Sequence, residues 1–152
     1  MAAMGAVIHG PGEGEHHAVG ASSLTLKATS EHTDGGFFLS ETVVEPGFPG
    51  PPLHRHRELT DMFYVLEGTL TLTVDGDEAE APPGTFACVP PGTVHTFANC
   101  SDGPVRFLNF NIPGGFEDYM RELAAALANG DGPPSSEDIG RIAAKYDFEP
   151  VG

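Results

Sequence analysis

The feature that most restricts this chain's fold is the punctuation between Asp61 and Ile112. DMFYVLEG, TLTLTVDG, TFACVP, TVHTFAN and VRFLNFNI are rich in β-branched and aromatic residues, and turn residues stand between them: Gly68, Asp75-Gly76, Pro82 to Gly84, Pro90 to Gly92, and CSDGP. Such short β-rich runs pack as two facing sheets or a small barrel, because each strand buries one face and needs another sheet to cover it. Upstream, SLTLKAT alternates with Leu24, Leu26 and Ala28 on one face. TDGG makes a turn, FFLSETVVEPG supplies a further strand, and FPGPP is a stiff connection to Leu53. Twenty Gly and fourteen Pro in 152 residues favour this reading over a helical bundle.

The tail differs. After PGG, the stretch FEDYMRELAAALANG places Phe116, Tyr119, Met120, Leu123 and Leu127 on one stripe, with Gly130 as a stop. In PPSSEDIGRIAAKYDF, Ser135 or Ser136 caps a second helix whose Ile139, Ile142 and Tyr146 share a face. These helices are expected to cover the barrel or an interface rather than carry chemistry. The expected organisation is one domain, all-β over residues 1–115 with its N-terminal strands, and a short helical tail over 116–152 packed on the barrel.

Charge and apolar runs narrow the function. Seven Lys and Arg stand against 22 Asp and Glu, a formal charge of −15, which argues against a nucleic-acid or anionic-membrane partner because phosphate contacts need clustered positive charge. No apolar run approaches the length of a membrane span, and MAAMGAVIHGPG does not read as a secretion signal. Cys88 and Cys100 lack zinc-knuckle spacing and are expected as free, buried thiols of a cytoplasmic protein.

Chemistry concentrates in PPLHRHRELTDMFYVLEG. If LHRH is extended, His54 and His56 leave the same face with Cα atoms roughly 6.5–7 Å apart, close enough to share an ion bonded at about 2.0–2.2 Å. Arg55 and Arg57 take the opposite face, RELT turns the chain back, and Asp61 enters beside the pair with Phe63 and Val65 on its face. His95 opens a later strand, framed by Pro90 and Gly92, with Phe97 and Asn99 on its face. Three imidazoles and a carboxylate suit one divalent transition metal ion, Fe, Mn, Ni, Cu or Zn, with open positions left over. His9, His16, His17 and His32 read as surface or hydrogen-bonded residues, His16 and His17 facing opposite ways.

These residues resemble the two motifs of the cupin superfamily, G-x5-H-x-H-x3,4-E-x6-G and G-x5-P-x-G-x2-H-x3-N. The second is matched by Gly84, Pro90, Gly92, His95 and Asn99. The first is matched by His54, His56 and Gly68, with Asp61 at the glutamate position and the leading glycine one residue off at Gly47. The resemblance implies a double-stranded β-helix (jelly roll) holding a metal at His54, His56, His95 and Asp61, commonly as a homodimer. Within the superfamily the chain is similar to small single-domain proteins of the quercetin-2,3-dioxygenase type. That implies dioxygen insertion into an enolisable aromatic or diketone small molecule, with Phe63, Phe97 and Phe107 walling an apolar pocket and Asn109 or Asn111 orienting polar groups. Isomerisation, cyclisation or dehydration without oxygen, and binding without turnover, are the alternatives. Asp is one methylene shorter than Glu and reaches roughly 1.2–1.5 Å less far. Asp61 is therefore a ligand if the backbone moves in, and otherwise acts through water or as a base.

Overall fold

Alternation along the β-rich stretches translates into two facing antiparallel sheets. The structure, a computed structural model, describes residues 5–129 and 135–151. Its strands are β1 Glu15–Val19, β2 Ser22–Ala28, β3 Phe38–Val44, β4 His54–Arg55, β5 Thr60–Glu67, β6 Leu70–Val74, β7 Asp77–Ala81, β8 Phe86–Val89, β9 His95–Ala98, β10 Val105–Ile112 and β11 Glu149–Pro150. Among the described residues three helices accompany them: α1 Ser30–Thr33, α2 Phe116–Asn129 and α3 Ser136–Ala143. One sheet runs β1-β2-β3-β10-β5-β8 and the other β11-β4-β9-β6-β7. Order jumps along the chain within both sheets, the topology of a jelly roll.

The inward faces form the core. Val44, Phe63, Val65, Val89, Val105 and Phe107 from the first sheet meet Leu70, Leu72 and Ala81 from the second. Phe63, Leu70 and Phe107 are at most 1% exposed, and each such burial contributes about 1.5–3 kcal/mol. Asp75 and Gly76 have φ of 51° and 83°, the left-handed pair that closes a two-residue hairpin between β6 and β7.

Strands β1, β7 and β11 go beyond the sequence reading. In β7, DEAEA is exposed except at Ala81, so its pairing with β6 follows from the hairpin and not from an apolar pattern. The tail also departs from expectation. Helix α3 ends at Ala143, leaving Tyr146 beyond the helix although still packed on its cluster, and the stop expected at Gly130 lies outside the described residues. Ser135 is the cap, its side chain accepting from the Asp138 N–H. Cys88 and Cys100 are free but exposed, not buried: Cys88 points outward from β8 and Cys100 sits in the turn after β9.

Candidate metal centre

His54 and His95 are paired directly across β4 and β9, which places their rings 4.4 Å apart. His56 follows two residues after His54, and its backbone carbonyl accepts the Gly92 N–H at 2.7 Å, tying the first motif to the turn that precedes His95. The His56 ring lies 4.9 Å from that of His54 and 5.3 Å from that of His95. Asp61, near the head of β5, reaches in from the other sheet. Its Oδ2 is 3.0 Å from His95 Nε2 and 3.5 Å from His56 Nε2. All four side chains are buried, and one potential ligand atom from each lies within 4.8 Å of the others. Arg55 and Arg57 face outward, as the alternation requires, and meet Glu149.

Protonation follows from what each ring's second nitrogen touches. His54 Nδ1 lies 2.9 Å from the Pro52 carbonyl, His56 Nδ1 2.6 Å from the Asp147 carbonyl, and His95 Nδ1 3.0 Å from the Thr93 carbonyl. A carbonyl oxygen only accepts, so Nδ1 carries the proton in all three and donates it. In a neutral ring, Nε2 then presents its lone pair to the cluster. Burial, with the nearby His95 adding to it, pushes the His54 pKa down to about 4, so this ring is neutral at physiological pH.

Asp61 is held just as firmly. Asn109 and Asn111 each donate an Nδ2–H to its Oδ1 at 2.7 Å, which leaves Oδ2 aimed at the imidazoles. Burial alone would raise the Asp61 pKa, but hydrogen bonds and charge from His56 and His95 outweigh it and hold the carboxyl well below its usual range. For His56, burial opposes a positive charge, yet the same contact with Asp61 leaves its affinity for a proton raised. Three converging Nε2 atoms around one anionic oxygen need a shared cation to satisfy them, whether protons or a metal ion. The donor set fits a metal: ligands on opposite sides of an ion bonded at about 2.0–2.2 Å stand about 4.0–4.4 Å apart, a few tenths of an ångström inside the observed spread.

A cavity of about 210 Å³ opens onto the cluster between the two sheets. His54, His56, Asp61, Phe97, Phe107 and Asn109 line it, whereas Phe63 stands behind them in the core, 5.5 Å from the Phe97 ring and 5.9 Å from that of Phe107. The opposite wall comes from the tail: Phe116, Tyr119, Met120 and Leu123 of α2, Ile139 of α3, and Phe148. The helical stripe therefore does more than cover the barrel, because it supplies much of the cavity's apolar surface. Among the described residues, no Lys or Arg lines the cavity. Asn99 of the second motif is structural; it bonds the Val44 and Gly103 carbonyls and receives the Ser101 N–H, bracing the turn before β10.

Sequence reasoning gave Asp147 and Phe148 no role at the site. Their contacts with His56 and His54 span about ninety residues of chain, and no local pattern signals them.

Comparison with known proteins agrees with this architecture. The cupin domain model matches residues 40–111. Over 114 residues the chain is 33% identical to quercetin 2,3-dioxygenase of Bacillus subtilis (strain 168), a match covering 74% of this chain but only 33% of that relative's length. KdgF from Halomonas sp. superposes with a TM-score of 0.65 over 75% of this chain and 99% of its own, at 13% identity, a likeness of fold alone. The polyketide cyclase RemF from Streptomyces resistomycificus superposes with a TM-score of 0.61 at 25% identity, over 72% of this chain and 80% of its own. With its two-sheet jelly roll, both histidine motifs and these matches, the chain belongs to the cupin superfamily.

Proposed function

We propose that the protein is a metal-dependent enzyme, a dioxygenase acting on a neutral, enolisable aromatic or diketone-type small molecule. The observation that carries this reading is the join of two features: a buried cluster of three imidazoles and one carboxylate, and a cavity onto which His54, His56 and Asp61 of that cluster face, whose remaining lining is mostly apolar and, among the described residues, holds no cationic side chain. Such a lining favours uncharged aromatic substrates over phosphorylated or carboxylated ones, which need a positive partner when desolvated. The likeness to quercetin 2,3-dioxygenase supports the oxygen chemistry.

His54, His56, His95 and Asp61 would hold the ion, with Fe, Mn, Ni, Cu and Zn all compatible with this donor set. When bound, the ion supplies Lewis acidity toward a substrate oxygen and, if redox-active, one-electron chemistry. The chain's residues do the rest. The three backbone carbonyls hold the imidazole tautomers, and Asn109 and Asn111 keep the Asp61 carboxylate oriented. Phe97, Phe107, Phe116 and Phe148 exclude water and present flat apolar surface to an aromatic ring. If Asp61 does not ligate the ion, its Oδ2, which faces the cluster, would instead act as the base that takes the proton of an enol.

A second reading, a non-redox cyclase or isomerase, is favoured by the likeness to RemF and uses the same cavity and the same base. Oxygen decides between them. Under the first reading, purified metal-loaded protein consumes dioxygen when given a flavonol or β-diketone and is inert under strict anaerobiosis. Turnover that proceeds equally well without air would transfer the assignment to the second. A ligand bound tightly and recovered unchanged from metal and air would refute both.

A further inference from the structure

We propose that Asp147 and Phe148 are positioning residues for the histidine cluster, so that retention of a divalent ion depends on docking of the C-terminal segment; this rests on the reading of His54, His56, Asp61 and His95 as a metal site. Strand β4, which carries His54, is only two residues long and meets β9 at the single pair His54–His95. His56 lies just past β4, outside any strand. So short an element does not fix two imidazoles by itself. His95, in contrast, belongs to a strand paired along its whole length with β6.

The missing restraint comes from the far end of the chain. The Asp147 carboxylate accepts three consecutive backbone N–H groups immediately after His56: Arg57 at 2.5 Å on Oδ1, and Glu58 and Leu59 at 2.9 Å on Oδ2. The Asp147 carbonyl meanwhile takes the His56 Nδ1–H. One residue thus sets both the backbone and the ring of His56. The next residue restrains the ring of His54: the Phe148 ring stacks on the imidazole with centroids 4.2 Å apart and planes 16° from parallel. Strand β11 then pairs with β4, placing Glu149 against Arg55 and Pro150 against His54, and the Val151 N–H reaches the Leu53 carbonyl. Phe148 is also part of the buried cluster of Tyr119, Leu123, Ile142 and Ala143, so packing of α2 and α3 bears on His54 through it.

Partners that orient metal-ligating histidines typically contribute 10–100-fold to metal affinity. Asp147→Asn puts an amide NH2 where a carboxylate oxygen now faces backbone N–H groups. Phe148→Leu keeps apolar volume but removes the ring face from His54. The test is titration with Co2+, read by its ligand-field absorption, which reports ligand number and geometry on the loaded fraction and which a general loss of stability does not alter. Wild-type protein is expected to bind one equivalent. Its failure to bind would refute the metal reading itself, and the proposal with it. Given wild-type loading, Asp147→Asn is expected to bind Co2+ about 10–100-fold more weakly, with changed absorption bands. Wild-type affinity in a folded Asp147→Asn protein, or weaker affinity with an unchanged spectrum, would overturn the proposal while leaving the metal site standing. If Asp147→Asn does not fold, Phe148→Leu is judged by the same two criteria, and wild-type values there would overturn the proposal as well.

Discussion

Replacing Asp61 with asparagine tests the centre most directly, because the surrounding donors dictate how the new amide must sit. Asn109 and Asn111 both aim N–H at Oδ1, so the amide oxygen takes that place and its NH2 goes where Oδ2 now faces His56 and His95. An amide nitrogen has no lone pair to give an ion, yet it donates well to imidazole Nε2. The variant therefore loses a charged ligand for metal while its metal-free cluster becomes better satisfied. Changes to groups that hydrogen-bond a metal's ligands cost up to about 100-fold in metal affinity, and loss of a direct ligand costs at least that, about 2.7 kcal/mol. With metal at about 100 times the wild-type Kd, the wild type gains about 2.7 kcal/mol of stability, which for a chain of this size raises the melting temperature by about 5–11 °C. At the same concentration Asp61→Asn gains only about 0.4 kcal/mol, a rise of about 1–2 °C. Thermal melts with and without added Zn2+ or Ni2+, together with elemental analysis of protein purified without chelator, measure both quantities. An undiminished metal-induced shift would show that Asp61 is not a ligand. If turnover were lost at the same time, Asp61 would act as a base alone; if turnover persisted, it would have no part in the chemistry.

Other perturbations test the frame around the site. Gly50 lines the cavity with φ of 83°, and a Cβ there would stand 1.8 Å from the Phe97 carbonyl oxygen. Gly50→Ala is expected to destabilise by more than the 1–2 kcal/mol or so that left-handed backbone alone costs, and an unchanged urea midpoint would refute this. Leu70 is fully buried between the sheets, and Leu70→Ala should cost about 2–5 kcal/mol by denaturant titration; a loss below about 1 kcal/mol would mean that the core closes over the gap. Arg121 bonds Glu15 and so ties α2 to β1; with burial opposing and His17 assisting, this bond lowers the Glu15 pKa from 4.5 to about 2. A depressed carboxyl contributes stability above its unfolded pKa and loses it as pH falls through the folded one, so the protection of α2 amides, measured relative to their intrinsic exchange rates at each pH, should fall between pH 4.5 and about 2. In Arg121→Gln that acid-dependent step should vanish, and its persistence would place the titration elsewhere.

The chemistry in this chain is local, whereas its geometry is largely not, and the difference explains what the sequence made legible. Two histidines at i and i+2 on an extended segment must share a face, and the buried His54 and His56 with exposed Arg55 and Arg57 follow from that alone. The same rule puts Asp61, Phe63 and Val65 inward from β5. The direct pairing of His54 with His95 is a long-range register, foreseeable only through the motif and not through periodicity. Asp61 shows how the two levels meet: reach alone left ligand and base equally open, and the side chain's short length is answered by a strand position that brings Oδ2 to 3.0 Å from His95. Strand β7 escaped notice because both its faces are wet, so no apolar alternation marks it. Cys88 defied its apolar habit because it lies on the outward face of an edge strand, where residue type predicts burial poorly.

The tail is the strongest case of information absent from local pattern. Nothing in KYDFEP distinguishes an aspartate that will accept three backbone N–H groups from one that will face solvent; only the closed structure brings residues 57–59 to it. A half-buried carboxylate left unpaired would favour its protonated form. Burial does push the Asp147 pKa upward, and the three N–H groups more than reverse this, leaving it lowered. The charge is thus kept by the very contacts that order the backbone behind His56. His54 on a two-residue strand and His56 just past it therefore owe their placement beside His95 to the C-terminal segment, and the apolar wall opposite the cluster belongs to the same tail. It follows that the shape of the cavity and the geometry of the histidine cluster are coupled: a substitution in α2 or α3 that shifts Phe148 alters the cavity's wall and the His54 ring together, through one side chain.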